Sequence, residues 1–192
     1  MNYLAHILLS GNNPLHLVGN FMGDSVKGKD YQTYPSEISK GILLHRQIDS
    51  FMDQHPIVQK GKLRLHKNQS KFAGVVIDVF YDYFLAKNWA EFSDQDYHEF
   101  IQENYRTLEN HIHLMPTMSQ FILGRMVSSD WLGHYLHSDG INQALSGLSR
   151  RTKYPNNMEN AVLDLLKYET EFNNEFKLFF PQIVNHCKDF IG

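Results

Sequence analysis

Cysteine is nearly absent from the chain, since Cys187 is the only one among 192 residues. A single thiol excludes an internal disulfide framework and favours a reducing, cytoplasmic compartment. An excess of one charge is also lacking, because a formal net charge of -3 is too small to indicate a nucleic-acid or membrane partner. No apolar run reaches the ~18 residues of a membrane span, and the opening "MNYLAHILLS" lacks the basic segment of a signal peptide. We therefore expect a cytoplasmic protein without a membrane or nucleic-acid partner.

Sustained period-two alternation is missing as well, whereas apolar residues recur three and four positions apart almost everywhere. This pattern predicts an all-α fold, and the length fits one core, since single cores stop growing only beyond ~250 residues. We expect residues 1–192 to form a single-domain helical bundle of about eight to ten helices. The predicted helices cover 2–9, 14–26, 36–54, a segment from Pro56, 71–88, 94–113, 117–127, 139–149, 158–179 and 181–190.

Polar residues interrupt several of the most apolar predicted helices in pairs spaced four residues apart. Residues at this spacing lie on one helix face, about one turn from each other. The four pairs are Asn2 with His6, Asn20 with Asp24, His45 with Asp49, and Asp78 with Asp82.

Each pair carries a burial cost, because an aspartate is almost never fully buried unless it is paired. Capping or a salt bridge would account for any one pair, but Asp78 and Asp82 place two like charges one turn apart within "GVVIDVFYDYFL". A divalent cation offsets several carboxylates at once, and histidine with carboxylate ligands suits Mn, Fe or Zn. The spacing therefore indicates a metal site to which several helices contribute ligands.

Basic residues are concentrated in two short segments, which are typical either of a solvated surface or of a site for a phosphate or an acidic partner. The first segment contains Lys60, Lys62, Arg64, Lys67 and Lys71 without an intervening acid. The second contains Arg150, Arg151 and Lys153.

The order of motifs resembles that of one known family. "MNYLAH", "GNFMGD", "GILLHRQIDS", "DVFYDYFL" and "GLSRR" follow one another as they do in the acyl carrier protein phosphodiesterases. The resemblance covers nearly the whole chain and implies an HD-domain-like fold, distantly related to the HD-type metal phosphohydrolases. One departure from that superfamily is that no adjacent His-Asp dipeptide occurs here.

The resemblance also implies an activity, namely cleavage of the phosphodiester that joins 4′-phosphopantetheine to a serine of holo-acyl carrier protein. The implied cofactor is Mn2+, with Mg2+ and Fe2+ as alternatives. The implied metal ligands are Asp24, His45, Asp49, Asp78 and Asp82, of which we favour Asp24, His45 and Asp78. Catalytic roles fall to Asp24, His6 and Arg46.

General chemistry assigns the remaining roles. Arginine holds the non-bridging oxygens of a phosphate with a bidentate fork, which makes Arg46, Arg150 and Arg151 the candidates. Departure of the serine oxygen needs a proton, from His6 or from a second carboxylate acting through water. Because acyl carrier proteins are strongly acidic, the segment from Lys60 to Lys71 becomes the predicted docking face.

Two other hypotheses are compatible with the sequence. The same metal ligands would serve a phosphohydrolase acting on a nucleotide or another small phosphodiester, because such ligands select the bond and not the substrate. A non-enzymatic helical module that binds an acidic protein would instead use its Asp and His pairs as buried hydrogen-bond networks.

Overall fold

The three-and-four spacing of apolar residues produces ten α-helices and no strand in the computed structural model, which describes residues 1–192. The helices are α1 (Tyr3–Leu9), α2 (Pro14–Phe21), α3 (Ser36–Gln54), α4 (Pro56–Gln69), α5 (Ala73–Lys87), α6 (Tyr97–Asn110), α7 (Thr117–Ser128), α8 (Ser138–Arg151), α9 (Ala161–Lys167) and α10 (Glu169–Ile191). Short 3-10 turns join several of them. The predicted all-α, single-domain bundle is confirmed. None of the helices combines the length and apolarity needed to cross a membrane.

Several predicted helix boundaries are wrong, and the helix predicted over 158–179 is divided at Tyr168 between α9 and α10. The helix predicted over 14–26 ends at Phe21, and a separate 3-10 turn covers Gly23–Ser25. The predicted break at Pro181 does not occur, because α10 continues through this residue. Proline removes one helical hydrogen bond, but Phe180 and Ile183 on either side are fully buried. Their burial holds the helix together across the exposed proline.

The core lies between α5 and α10, where phenylalanine and tyrosine rings interlock. Tyr81 of α5 packs edge-on against Phe176 at a centroid distance of 5.5 Å, and Phe80 meets Phe172 in the same way at 5.3 Å. All four side chains are fully buried, and edge-to-face pairs add to the stabilisation from burial. This packing holds α5 in place, and α1 packs against α5.

Helices α2 and α3 cross at a pair of glycines. A Cβ atom added to Gly19 would lie 2.1 Å from the carbonyl oxygen of Ile38, and one added to Gly41 would lie 2.3 Å from that of His16. Only glycine therefore permits this approach, which brings Asn20 of α2 against His45 of α3.

Substitution of Gly41 by alanine is expected to lower the free energy of unfolding by about 1–3 kcal/mol, because the added methyl group must push rigid backbone apart. Urea denaturation measures the change. Gly147→Ala is the matched control, since a Cβ there meets nothing within 4 Å and alanine favours a helix. Equal stability of the two variants would show that the crossing tolerates a wider separation.

Candidate metal centre

A cavity of about 340 Å³ opens where α1, α2, α3, α5 and α8 meet. Its apolar wall includes Tyr3, Val75 and Leu148. Its polar lining consists of Asn2, His6, Asn20, Asp24, His45, Asp49, Asp53 and Asp78. Most of the polar pairs predicted from the sequence therefore reach one cavity.

His6, His45 and Asp49 form its centre, since one side-chain donor atom from each lies within 4.8 Å of the other two. Asp49 Oδ1 is 3.3 Å from His6 Nε2, and Asp49 Oδ2 is 3.2 Å from His45 Nε2. The two imidazole rings stack at a centroid distance of 4.3 Å. Asp49 thus bridges two buried histidines from different helices.

The free nitrogen of His45 points into this cluster. His45 Nδ1 donates a hydrogen bond to the carbonyl oxygen of Asn20 at 2.9 Å. Nε2 is buried and makes no well-aligned hydrogen bond. Burial lowers the pKa of His45, but Asp24 and Asp49 outweigh that effect and raise the pKa to about 9. The cluster therefore attracts a cation to Nε2.

His6 is oriented by Asn20. The Asn20 amide nitrogen donates to the His6 carbonyl oxygen at 2.8 Å and to Ser10 Oγ at 2.9 Å. This leaves Asn20 Oδ1 to accept from His6 Nδ1 at 2.8 Å. Burial lowers the pKa of His6, so its Nε2 carries a lone pair towards the Met1 carbonyl oxygen, 3.1 Å away, and towards Asp49.

This convergence is the test of whether a metal fits. The Met1 carbonyl oxygen and the Asp49 carboxylate both face His6 Nε2, so three electron-pair donors converge there when the proton of a neutral His6 is on Nδ1. Such a set is stabilised by a cation, and histidine nitrogen with carboxylate oxygen suits a first-row divalent ion. The hydrogen bonds from both imidazoles to Asn20 are the outer contacts that metal-binding histidines usually make.

Asp24 stands at the mouth of the cavity, in the 3-10 turn after α2. Its side chain is exposed, and Oδ1 lies 3.4 Å from His45 Nε2. The contact with His45 lowers the pKa of Asp24. Asn20 and Asp24 therefore do not share a helix as predicted, because α2 ends between them.

The carboxylates of the two aspartates of α5 contact backbone groups at and just before the start of α1. Asp82 accepts hydrogen bonds from the backbone amides of Asn2, Leu4 and Ala5 at 3.2, 2.8 and 3.3 Å, and burial raises its pKa to about 7. Asp78 Oδ1 lies 3.3 Å from the amino group of Met1. Asp78, one of the three favoured ligands, lines the cavity and Asp82 does not, and metal binding by either residue stays a prediction.

Arg46 lies away from the cluster. Its guanidinium donates to the carbonyl oxygens of Gly28 and Val26 at 2.8 and 3.0 Å and lies 5.3 Å from the ring centroid of Tyr31. These contacts hold the loop that follows Asp24, and a catalytic or phosphate-binding role of Arg46 stays a prediction.

Arg150 and Arg151 lie exposed at the end of α8, and neither lines the cavity. Arg151 Cζ is 6.0 Å from the ring centroid of Trp131. Leu148, one turn earlier on α8, does line the cavity. A phosphate-binding role stays a prediction for both arginines, of which Arg150 lies about 200° around the helix from Leu148 and Arg151 about 60°.

The predicted docking face is only partly available. Arg64 makes a bidentate pair with the nearly buried Glu175 at 2.7 and 2.8 Å, and Lys60 Nζ lies 3.4 Å from the same carboxylate. Lys62 pairs with Asp53 at 2.7 Å. Lys60, Lys62 and Arg64 thus each have an acidic partner, whereas Lys67 and Lys71 make no ion pair, and docking by this segment stays a prediction.

Sequence reasoning missed two residues that shape the centre. Gly23 lies against the His45 ring, because a Cβ there would be 2.3 Å from His45 Cγ. Asn20 orients both imidazoles, a role that its pairing with Asp24 did not reveal. The "GN" and "GD" of "GNFMGD" were the available signal, since glycine often marks a close approach.

Comparison with known proteins identifies the family. The model of the family "Acyl carrier protein phosphodiesterase" matches residues 1–183. The protein named acyl carrier protein phosphodiesterase from Enterobacter sp. (strain 638) is 27% identical to this chain over 190 residues, 98% of each chain. The protein of the same name from Klebsiella pneumoniae subsp. pneumoniae is 29% identical to this chain over 185 residues, 96% of each chain. The protein of that name from Photorhabdus laumondii is 27% identical over 193 residues, 99% of this chain and 98% of its own.

No solved structure matches the chain, so the relation to HD-type phosphohydrolases stays a prediction. The family match extends from residue 1 into α10 and includes every residue of the cavity lining. By this match, the chain belongs to the acyl carrier protein phosphodiesterase family.

Proposed function

We propose that the chain hydrolyses the phosphodiester between 4′-phosphopantetheine and the serine of holo-acyl carrier protein, which releases the apo-protein. The family and the names of its relatives support the substrate. The observation that carries the reaction type is the convergence of His6, His45 and Asp49 on one point.

The residues that would hold the cation are His6, His45 and Asp49, with Asp24 completing the set from the exposed side. Two imidazoles favour Mn2+ or Fe2+ over Mg2+, which prefers oxygen ligands, and we propose Mn2+. When bound, such an ion neutralises the phosphodiester oxygens and makes water acidic enough to attack near neutral pH.

Protein side chains supply orientation and proton transfer. Asn20 fixes the tautomers of both histidines through its carbonyl and its side-chain oxygen. Burial lowers the pKa of His6, which disfavours the protonated form that a general acid needs. Asp24 is ionised and open to solvent, so its free Oδ2 accepts a proton from the attacking water and returns it to the departing serine oxygen.

A side-by-side assay separates this proposal from its alternatives. Holo-acyl carrier protein is offered beside a panel of nucleotides, and mass spectrometry follows loss of the prosthetic group. We expect release of phosphopantetheine and formation of apo-protein. Activity on the panel alone would indicate a nucleotide or other small-diester phosphohydrolase, and no turnover with binding of the carrier would indicate a non-enzymatic module.

Metal binding is expected to compete with a proton on His45. Its folded-state pKa of about 9 lies above the ordinary value of 6.5, so the proton is present at pH 7 and must leave when Nε2 binds a metal. The affinity for Mn2+ should therefore rise roughly tenfold per pH unit and level off once the pH exceeds the pKa of His45.

Calorimetry in buffers of different ionisation enthalpy measures this coupling, with about one proton released per ion at pH 7. Binding of Mn2+ without proton release would place the ion away from His45 Nε2.

A further inference from the structure

Two basic segments that are distant in the sequence meet on the surface. Lys71 Nζ lies 3.7 Å from the ring centroid of Tyr154, which follows Lys153. A second contact joins the same regions, because the Asn157 side-chain amide donates to the carbonyl oxygen of Asn68 at 3.4 Å. The exposed surface of Lys71, Arg151, Lys153 and Tyr154 is called the basic rim below.

The charges of the basic rim have no acidic partner within the chain. No ion pair involves Lys71, Arg151 or Lys153, and all three are exposed. The neighbouring Arg64, by contrast, is neutralised by Glu175. A chain of net charge -3 therefore keeps a local excess of positive charge at this place.

Arg151 connects the basic rim to the lining of the cavity. Val75 lines the cavity four residues after Lys71, and Leu148 lines it one helical turn before Arg151. Val75 is partly exposed and Tyr154 is 63% exposed, so apolar surface accompanies the charges. The arrangement joins an electrostatic surface to the entrance of the candidate metal centre.

The position of the phosphodiester bond in the substrate determines which part of the substrate contacts the basic rim. In the substrate of the proposed function, the phosphodiester is attached directly to the serine of the carrier. The carrier surface must therefore reach the cavity mouth whenever that bond enters the centre, and residues bordering the mouth contact the carrier itself. An acidic carrier then meets Lys71, Arg151 and Lys153 with complementary charge.

We propose that the basic rim, and not the paired residues Lys60, Lys62 and Arg64, is the docking surface for the acidic carrier protein. This inference rests on the proposed function. In the docked complex the carrier's serine reaches the cavity that Val75 and Leu148 line, and Tyr154 provides an amphipathic contact beside the charges.

The test is the double variant Lys71→Glu with Lys153→Glu, which leaves Arg151 and the cavity lining intact. On holo-acyl carrier protein at low ionic strength, we expect KM to rise roughly tenfold or more, with kcat at saturating substrate close to that of the wild type. Binding of the apo-carrier, measured by calorimetry, should weaken by the same factor. Added salt should weaken wild-type binding and leave the variant little changed.

Lys188→Glu is the matched control, because Lys188 is exposed and unpaired on α10, which contributes nothing to the cavity. Equal KM and equal carrier binding in the control and the double variant would overturn the docking surface. A salt-independent affinity of the wild type would overturn it as well, and this measurement needs no variant to fold. Failure of the wild type to cleave holo-carrier would instead refute the proposed function.

Discussion

Replacement of Asp49 by asparagine is expected to lower kcat/KM on holo-acyl carrier protein by more than ~100-fold. Loss of an outer contact to a metal ligand typically costs 10- to 100-fold, and Asp49 lies within the cluster itself. Its carboxylate is the group that contacts both His6 and His45, at 3.3 and 3.2 Å. Asparagine keeps the shape and removes the charge. Mn2+ affinity, measured by titration of the apo-protein, should fall in parallel.

The control for this substitution is Glu37→Gln, on the same helix. Glu37 also pairs with a buried histidine, since its Oε2 lies 2.8 Å from His16 Nε2, but it lies outside the cavity. Glu37→Gln should retain both metal binding and activity, with helical circular dichroism checked for both proteins. Full Mn2+ affinity in Asp49→Asn would contradict the ligand assignment.

Substitution of Gly23 by alanine is expected to weaken Mn2+ binding by about 10- to 100-fold without removing any ligand atom. The new Cβ would lie 2.3 Å from Cγ and 2.6 Å from Cβ of His45. These atoms are at the base of a buried side chain, so the ring must tilt or the turn carrying Asp24 must move. Overpacking of this kind also costs about 1–3 kcal/mol of stability.

Gly124→Ala provides the comparison, because a Cβ at that position of α7 meets nothing within 4 Å. It should bind Mn2+ like the wild type and unfold at the same or a slightly higher urea concentration. A Gly23→Ala protein with wild-type metal affinity would show that the close approach of Gly23 to His45 does not position the imidazole.

The fold class followed from the sequence because helical periodicity depends on local spacing. Helix boundaries depended on tertiary contacts instead. Pro181 is tolerated inside α10 because Phe180 and Ile183 are buried on both sides of it, and the sequence carried no sign of this packing. The end of α2 at Phe21 was hidden because "NFMGDS" continues the apolar spacing.

The sequence predicted which residue types line the candidate site better than it predicted which of those residues contact one another. His45 and Asp49 meet as the four-residue spacing predicted. Asp82 met the same spacing rule, but its charge is satisfied by the backbone amides at the start of α1. Spacing shows which residues share a helix face, whereas the partner of a buried carboxylate depends on which element packs against that face.

Arg46 and Arg64 illustrate the same limit for cations. Both looked available for a phosphate or a carrier, yet Arg46 binds the carbonyl oxygens of Gly28 and Val26 and Arg64 binds Glu175. An arginine contacts whatever acceptor the fold brings near it. The sequence separation of 111 residues between Arg64 and Glu175 made that pair invisible to local reasoning.

The central claim is that His6 and His45 hold the catalytic ion together with Asp49. Pulsed electron paramagnetic resonance of the Mn2+-loaded protein tests it directly, because nitrogen nuclei of bound imidazoles modulate the electron spin echo. We predict coupling from two histidine nitrogens in the wild type, reduced to one in His6→Gln. Tightly bound Mn2+ without nitrogen coupling, or coupling unchanged in His6→Gln, would contradict the account.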